Sequence, residues 1–273
     1  MNIARRTGTL DRPDCKLFYE VTGAGPAIIF AHGLGGNHMS WFQQVAHFAP
    51  RYTCIAIAHR GFAPSSFIAG GPDPADYAGD IAALVDHLKL DDVRIVAQSM
   101  GGWTTIEYAL TRPRALKAIV LAGTTGTADP FAIAEPARTR HNEWLQANAT
   151  RAYDLFTRGI HPAGGERMAR EQPALHLLYR QIDDQNAHWD KEALRQRLIA
   201  ARTRKPQELS AITCPTLFIA GEEDVLIPPF AIEAVAASIP GAKVAHIEKA
   251  GHSAYFERAA QFNRIVDEFL AAT

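Results

Sequence analysis

The stretch Val93-Arg94-Ile95-Val96-Ala97-Gln98-Ser99-Met100-Gly101-Gly102-Trp103 decides the fold of this chain. A short β-branched run leads to a serine, and two glycines precede an apolar pattern with helical spacing that includes Trp103, Ile106 and Leu110. This pattern predicts a strand, a tight turn with Ser99 at its apex, and a helix. A serine at such a turn presents its hydroxyl beside the unpaired N–H groups of the helix start. The turn therefore suits a nucleophile whose attack creates negative charge.

Strand and helix patterns alternate on both sides of this turn. Residues 27–31 form a continuous apolar run, which is typical of a parallel strand buried on both faces. Residues 7–10 and 17–21 predict a hairpin at the sheet edge, with its turn at Arg12-Pro13-Asp14. The other predicted strands are 52–58, 118–122, 215–220 and 243–247. A helix is predicted at 77–88, between the strand at 52–58 and the strand that leads to Ser99. Between the strands at 118–122 and 215–220, the sequence has only helical patterns, at 133–149, 151–158, 174–182 and 191–202.

Composition limits the classes of function. Of 273 residues, 47% are apolar and 21% are charged, which is ordinary for a soluble globular enzyme. The net charge of −1 gives no electrostatic attraction to nucleic acid or to an anionic membrane. No apolar run approaches the ~18 residues of a membrane helix. We expect a small-molecule substrate as the partner, with no nucleic acid and no membrane.

The cysteines and the amino terminus predict a cytoplasmic protein. Cys15, Cys54 and Cys214 are odd in number and far apart, and none lies in a C-x-x-C pair. This pattern argues against a disulfide framework and against a structural zinc site. The first fifteen residues contain no apolar h-region of a signal peptide. We expect no metal and no cofactor.

Two further loops supply the groups that would activate Ser99. A serine hydroxyl needs an adjacent base, and that base needs a partner that fixes its tautomer. Asp224 follows the strand predicted at 215–220, and His252 follows the strand predicted at 243–247. Loops after parallel strands meet at one edge of the sheet. Ser99, Asp224 and His252 are therefore the candidate catalytic residues, in the order Ser, Asp, His.

These pieces together resemble the α/β-hydrolase superfamily, in its serine-nucleophile branch. The resemblance rests on His32-Gly33-Leu34-Gly35, Ala97-Gln98-Ser99-Met100-Gly101-Gly102, Gly221-Glu222-Glu223-Asp224 and Ala250-Gly251-His252-Ser253. It implies a mostly parallel, eight-stranded α/β sheet flanked by helices, formed by residues 1–124 and 207–273. It also implies an inserted helical cap at 125–206, and an oxyanion hole formed by the backbone N–H groups of Leu34 and Met100.

Other polar and aromatic residues near these motifs have both structural and functional interpretations. His32 is expected mainly to brace its own loop, and His38 and His59 to be solvated or to brace loops, although His32 and His38 also remain possible pocket residues. Trp144 and Trp189, on the predicted cap, either pack in its core or line the cavity. Asp129 is an alternative to Asp224, because some superfamily members place the acid after the preceding strand.

The chain departs from the superfamily pattern at two places. Ala97 replaces the first glycine of G-x-S-x-G, which could shift the turn at Ser99. Members also often carry Asp-x-Arg-Gly-x-Gly-x-Ser after the fourth strand, where this chain reads Ala58-His59-Arg60-Gly61-Phe62-Ala63-Pro64-Ser65. The missing aspartate predicts a loop with fewer stabilising polar contacts.

The resemblance implies a cofactor-independent serine hydrolase that cleaves a small carboxylic ester or lactone through an acyl-enzyme. Serine at the turn disfavours dehalogenases and epoxide hydrolases, which carry aspartate there. The Ser-Met-Gly-Gly sequence is similar to that of 3-oxoadipate enol-lactonases, small carboxylesterases and cofactor-free haloperoxidases. One alternative is a carbon–carbon hydrolase of a ring-cleavage product, although those usually have His-Gly-x-Gly-Pro-Gly where this chain has Gly35-Gly36-Asn37. Another is a small-ligand receptor that keeps the fold.

Overall fold

The computed structural model describes residues 4–186 and 189–273. Its centre is an eight-stranded sheet with the order β1-β2-β4-β3-β5-β6-β7-β8. β1 pairs antiparallel with β2, and β2 with β4, whereas the remaining neighbours are parallel. The strands are β1 Arg5–Asp11, β2 Lys16–Thr22, β3 Ala27–Ala31, β4 Thr53–Ile57, β5 Val93–Gln98, β6 Leu116–Ala122, β7 Thr216–Gly221 and β8 Lys243–Ile247. The predicted fold class and the edge hairpin are both confirmed.

Helices cover both faces of the sheet. They are α1 Phe42–Phe48, α2 Tyr77–Leu88, α3 Met100–Thr111, α4 Ala137–Ala147, α5 Arg151–Thr157, α6 Gly165–Glu171, α7 Pro173–Asp184, α8 Lys191–Ala200, α9 Pro229–Ala236, α10 Ala254–Glu257 and α11 Ala259–Ala271. None of the helices in the described ranges is both long and apolar enough to cross a membrane.

The strand β5 shows how the sheet is buried. All six of its residues are buried. Ile95 belongs to a core cluster that includes Ile81 of α2 and Ile106 of α3, whereas Val96 belongs to a second cluster that includes Phe262 of α11. Alternate side chains of a strand point to opposite faces, so the two clusters lie on opposite sides of the sheet. A strand covered in this way needs apolar residues at nearly every position, which explains the run that precedes Ser99.

Helices α4 to α8 lie between β6 and β7, within residues 125–206, which we call the insertion. α6 and α9 were not predicted, because α6 follows the Gly164-Gly165 turn closely and α9 begins directly after Pro228. Proline suits the first turn of a helix, where its missing N–H has no intrahelical partner. The helix predicted from residue 133 begins only at Ala137, after Pro136 in its N-cap position.

Arg60 makes most of the side-chain ion pairs of the loop after β4, where the motif aspartate is replaced by Ala58. The Arg60 guanidinium is buried and donates to both oxygens of Asp80, at 2.6 and 2.7 Å. It also donates to Asp14 in the hairpin turn and to Asp76 before α2. Arg60 therefore fixes this loop to the hairpin turn and to the start of α2.

Candidate active site

Ser99 occupies a strained turn between β5 and α3. Its backbone has φ 49° and ψ −116°, and residues with a side chain rarely adopt a positive φ. The Ser99 amide donates to the Ala122 carbonyl at 2.9 Å, and its carbonyl accepts from the Gly102 amide at 2.7 Å. Strain of this kind costs about 1–3 kcal/mol and clusters at functional sites. The turn has the predicted form, with Ser99 at the amino terminus of α3.

Glycines allow the backbone to pack closely around this turn. A methyl group at Gly101 would clash with the backbone oxygen of Ala31 in β3, and one at Gly33 would lie 3.0 Å from Ser99 Cβ. Ala97, in contrast, is fully buried and stays in regular parallel register with Ala31. The alanine that replaces the motif's first glycine is thus accommodated as an ordinary strand residue.

His252 and Asp224 form a buried pair. His252 Nδ1 lies 2.7 Å from Asp224 Oδ2, and both side chains are almost completely inaccessible to solvent. The other oxygen, Asp224 Oδ1, accepts from the amides of Leu226 at 2.7 Å and Ile227 at 2.9 Å. Three acceptor contacts orient the carboxylate rigidly. The pair can therefore keep one imidazole nitrogen protonated and leave the other free to accept a proton.

Contacts with Gln98 and Gly123 bring the loop of His252 to the end of β5, where Ser99 lies. The Gln98 side chain donates to the His252 carbonyl at 3.2 Å. Gly123, which follows β6, packs so closely that an added methyl group would lie 3.3 Å from His252 Nδ1. Ser99, Asp224 and His252 therefore share the carboxyl edge of the sheet, after β5, β7 and β8. This is the edge at which open α/β sheets bind ligands.

Two backbone amides beside Ser99 have free donors. The Met100 amide is the first of α3 and has no intrahelical acceptor. In the described ranges, neither this amide nor that of Leu34 donates a hydrogen bond to another residue. Leu34 directly follows Gly33, which packs against Ser99. The two amides are thus available to an oxygen that develops charge near Ser99.

Glu257 is a residue of this site that the sequence analysis missed. Its carboxylate Oε1 accepts from the amide of Gly251, immediately before His252, while Oε2 is buried without a partner. Burial raises the pKa of Glu257 to about 7. The available signal was an acid within the apolar sequence Ala254-Tyr255-Phe256-Glu257, because a carboxylate in such a run needs a specific partner.

His32 and His59 lie beneath the loop that carries Leu34. His32 Nδ1 lies 2.8 Å from the Gly33 carbonyl, and His32 Nε2 accepts from the His59 amide at 3.0 Å. Burial lowers the pKa of His32 to about 3. His59 Nε2 lies 3.0 Å from the hydroxyl of Thr104 in α3. Both histidines are neutral and join neighbouring loops.

The remaining pocket candidates fall in three different places. Trp189 packs edge-on against Phe62, with ring centroids 5.0 Å apart, in a cluster that also contains Leu34, Met100 and Trp103. His38 instead packs edge-on against Phe18 of β2. Trp144 lines a cleft of about 630 Å³ between the insertion and the loop of Asp224. Of the three, only Trp189 shares a cluster with the residues that carry the free amides.

Asp129, the alternative acid, bonds within its own loop. Its Oδ1 accepts from the Phe131 amide at 2.8 Å, and its backbone amide donates to the carbonyl of Arg204. His252 is paired with Asp224 instead. The geometry therefore favours Asp224 as the partner of the histidine.

The described ranges contain no group of three or more His, Cys, Asp or Glu side chains that could hold a metal ion. Cys15, Cys54 and Cys214 are buried and not joined in disulfides. Burial raises the pKa of Cys54 to about 12, which keeps that thiol protonated.

Comparison with known proteins agrees with this geometry. A family profile of the alpha/beta hydrolase fold matches residues 26–259. The putative carbamate hydrolase RutD of Klebsiella pneumoniae strain 342 is 30% identical over 267 residues, which cover 90% of this chain and 92% of that protein. The putative non-heme bromoperoxidase BpoC of Mycobacterium tuberculosis H37Rv is 27% identical, with 94% of this chain and 98% of that protein covered.

A solved structure extends the similarity to three dimensions. Est816, described as an N-acyl homoserine lactone degrading enzyme, superposes with a TM-score of 0.76 and 26% identity. The superposition covers 96% of this chain and 100% of that one. The profile match, the full-length relatives and the eight-stranded sheet lead to one conclusion: the chain belongs to the alpha/beta hydrolase family and is a hydrolase.

Proposed function

We propose that this hydrolase cleaves a small carboxylic ester or lactone through an acyl-enzyme on Ser99. His252 removes the proton from the Ser99 hydroxyl, and the serine oxygen attacks the acyl carbonyl. The same histidine then protonates the departing alcohol. In the second half of the reaction, His252 takes a proton from water, which attacks the acyl-enzyme and releases the acid.

Two features of the site would lower the activation free energy of acyl transfer to Ser99. Asp224 holds His252 in the tautomer whose outer nitrogen accepts the serine proton, and it stabilises the imidazolium that follows. The amides of Leu34 and Met100 would donate to the oxyanion of the tetrahedral intermediate. Loss of one such donor typically costs about 10²–10³ in kcat.

We further propose that the insertion acts as the cap of the active site. Leu194 and Leu198 of α8 pack in the cluster with Met100 and Trp103, and Leu34 and Trp189 adjoin that cluster. The acyl group would lie against these apolar side chains. The similar proteins include a putative carbamate hydrolase and an enzyme described as degrading N-acyl homoserine lactone, and both descriptions support this reaction class.

The observation that carries the proposal is the strained Ser99 turn beside the buried His252–Asp224 pair. Its direct test is covalent labelling with a fluorophosphonate, which reacts with an activated serine whatever the natural substrate. We expect stoichiometric labelling of the peptide that contains Ser99, and none in Ser99→Ala. Ser238→Ala, which removes a serine after α9, is the matched control and should label as the parent does.

Hydrolysis of p-nitrophenyl esters of graded acyl length then tests the substrate class. We expect turnover that Ser99→Ala abolishes, with a length profile that measures the acyl pocket. Labelling of Ser99 without ester hydrolysis would overturn the ester assignment but keep the nucleophile, and ring-cleavage dienones would be assayed next. Absence of both labelling and turnover would favour the small-ligand receptor.

A further inference from the structure

Arg202 places a cation against the helix that begins at Ser99. Its guanidinium carbon lies 4.9 Å from the centre of the Trp103 ring. Trp103 is four residues beyond Ser99, about 6 Å along the axis of α3. The Trp103 indole also donates to the Leu198 carbonyl at 2.9 Å, which fixes the end of α8 to α3. Arg202 thus follows α8 at a contact between the insertion and the candidate active site.

This arginine has no counter-ion. Its Nε is buried without a hydrogen-bond partner, and no ion pair in the described part of the chain includes it. Burial lowers the pKa of Arg202 to about 10, and the positive charge of Arg195 contributes to this decrease. Arg60 and Arg204, in contrast, are paired with Asp80 and Glu107.

His141 is a second buried polar group without partners in the same region. It lies on α4 and is 4% exposed, and neither ring nitrogen has a hydrogen-bond partner. Burial and the positive charge of Arg202 both lower the pKa of His141, so the ring is neutral. Arg202 and His141 thus both have polar atoms without partners, and the two side chains are close enough for the charge of Arg202 to act on the His141 ring.

Arg202 is half-buried, and its Nε, like the two ring nitrogens of His141, is fully buried without a partner, which is costly unless a ligand satisfies such atoms. A buried polar group without a partner costs a few kcal/mol, and a buried charge costs more. A guanidinium matches a carboxylate with two parallel hydrogen bonds. A metabolite carboxylate would both neutralise Arg202 and accept a hydrogen bond from His141.

We propose that Arg202, with His141, binds a carboxylate on the acyl part of the substrate, so that the natural ester or lactone is an anion. The intervening acyl chain would lie on Trp103 and its apolar neighbours Met100 and Leu198. This inference rests on the proposed role of Ser99. It extends the proposed function by assigning a negative charge to the substrate.

Matched pairs of esters test the inference. The p-nitrophenyl monoesters of succinate, glutarate and adipate differ from the butyrate, valerate and hexanoate esters only by a carboxylate in place of the terminal methyl. For at least one length we expect kcat/KM of the acid to exceed that of its neutral partner by about 10- to 100-fold. Equal or better turnover of the neutral partner at all three lengths would overturn the inference. Ser99→Ala supplies the uncatalysed background.

Variants of Arg202 test whether this residue causes the preference for the acid ester over its neutral partner. The ratio of kcat/KM between the two members of a pair is measured within each enzyme, so that a general loss of activity cancels. We expect Arg202→Met to lower this ratio to about 1 or less and Arg202→Lys, which keeps the charge, to retain part of it. Arg170→Met, which removes an exposed cation of the insertion, should keep the parent ratio. An unchanged ratio in Arg202→Met would also overturn the inference.

A binding experiment separates this inference from the proposed reaction. Glutarate should raise the melting temperature of Ser99→Ala, whereas glutaramide, its neutral analogue, should not, and adding Arg202→Met should abolish the glutarate effect. If esters are hydrolysed through Ser99 but glutarate does not bind, the proposed carboxylate site is contradicted and the proposed reaction is not. If glutarate binds but Ser99 is not labelled and esters are not hydrolysed, the proposed reaction is contradicted and the proposed carboxylate site is supported.

Discussion

Asp224 uses one carboxylate oxygen for His252 and the other for its own loop. Because the amides of Leu226 and Ile227 both donate to Oδ1, Asp224→Asn should keep its amide oxygen there and turn its NH₂ group toward His252. The histidine would then carry its proton on the nitrogen that, in the proposed mechanism, accepts the proton of Ser99. We expect kcat for p-nitrophenyl esters to fall about 10⁴-fold with little change in melting temperature.

The neighbouring carboxylate provides the control for this variant. Glu222 is exposed and lies two residues before Asp224, so Glu222→Gln removes one negative charge from the same loop without touching His252. It should retain the parent kcat. Parent-like turnover in Asp224→Asn would mean that the pair does not set the tautomer of the histidine.

Glu257 makes stability depend on pH. Burial raises its pKa from 4.5 to about 7, while Arg258 and Arg167 oppose the shift. Between these two pH values the unfolded chain ionises and the folded chain stays protonated. The free energy of unfolding therefore falls as pH rises through this window, by about 3 kcal/mol in total.

Glu257→Gln isolates this contribution, since glutamine keeps an acceptor for the Gly251 amide and has no charge. Urea unfolding at pH 5 and pH 8 should show the variant gaining stability over the parent at pH 8, relative to their difference at pH 5, by up to about 3 kcal/mol. A difference that stays constant across the two pH values would show that Glu257 ionises normally in the folded protein.

At the scale of elements, the contact between α3 and β3 depends on one helical glycine. A methyl group at Gly101 would meet the Ala31 backbone, which is part of the sheet. Gly101→Ala must therefore displace α3 from β3 and with it the turn at Ser99. We expect a loss of stability of about 1–3 kcal/mol, as for other overpacked sites, together with a fall in kcat.

Gly79 offers the matched control in α2. It is exposed, and a methyl group there would contact only the end of the Arg12 side chain, at 3.7 Å. Gly79→Ala should raise the free energy of unfolding by about 0.5–1 kcal/mol, because alanine is the better helix former. If both variants behaved alike in thermal unfolding, close packing at Gly101 would not be the reason for its glycine.

The elements that the sequence predicted well are those specified by local pattern. The runs at β3, α2 and β8 have the observed bounds, because strand and helix periods differ clearly there. The sequence analysis missed the short helices α6 and α9. Each is too short to show a clear apolar period, and each starts at a glycine or proline, which usually indicates a turn. The positions of Ser99, Asp224 and His252 at one sheet edge followed from parallel topology alone.

Residues whose role comes from distant contacts could not be predicted. Glu257 and Asn186 contact residues that are distant in the sequence or that only the fold orients toward them, and Asn186 bonds to a backbone amide 123 positions away in the chain. A single sequence contains no signal for such pairs beyond a polar residue among apolar ones. The loop of Arg60 shows the same limit, because the sequence does not reveal that Asp14, Asp76 and Asp80 all pair with this arginine.

For the molecule as a whole, Asn186 connects the insertion to the core at the loop that bears Leu34. It is fully buried, its oxygen accepts from the Ala63 amide at 2.7 Å, and its nitrogen donates to the Gly36 carbonyl at 3.3 Å. The Gly36 amide in turn donates to the Gly33 carbonyl across Leu34. The insertion thus helps to fix the turn that carries Leu34, whose amide we propose as an oxyanion donor.

Asn186→Ala should therefore affect stability and catalysis together. Two buried backbone groups lose their partner, which should cost about 1–3 kcal/mol of stability, and a looser Leu34 turn should lower kcat by about 10-fold or more. Gln185→Ala is the control: this exposed neighbour bonds to Asn37 at 3.0 Å and should change both quantities little. Chemical denaturation and ester hydrolysis measure them separately. If stability fell but kcat did not, the core alone would position Leu34, and the insertion would act on the substrate only as a cover.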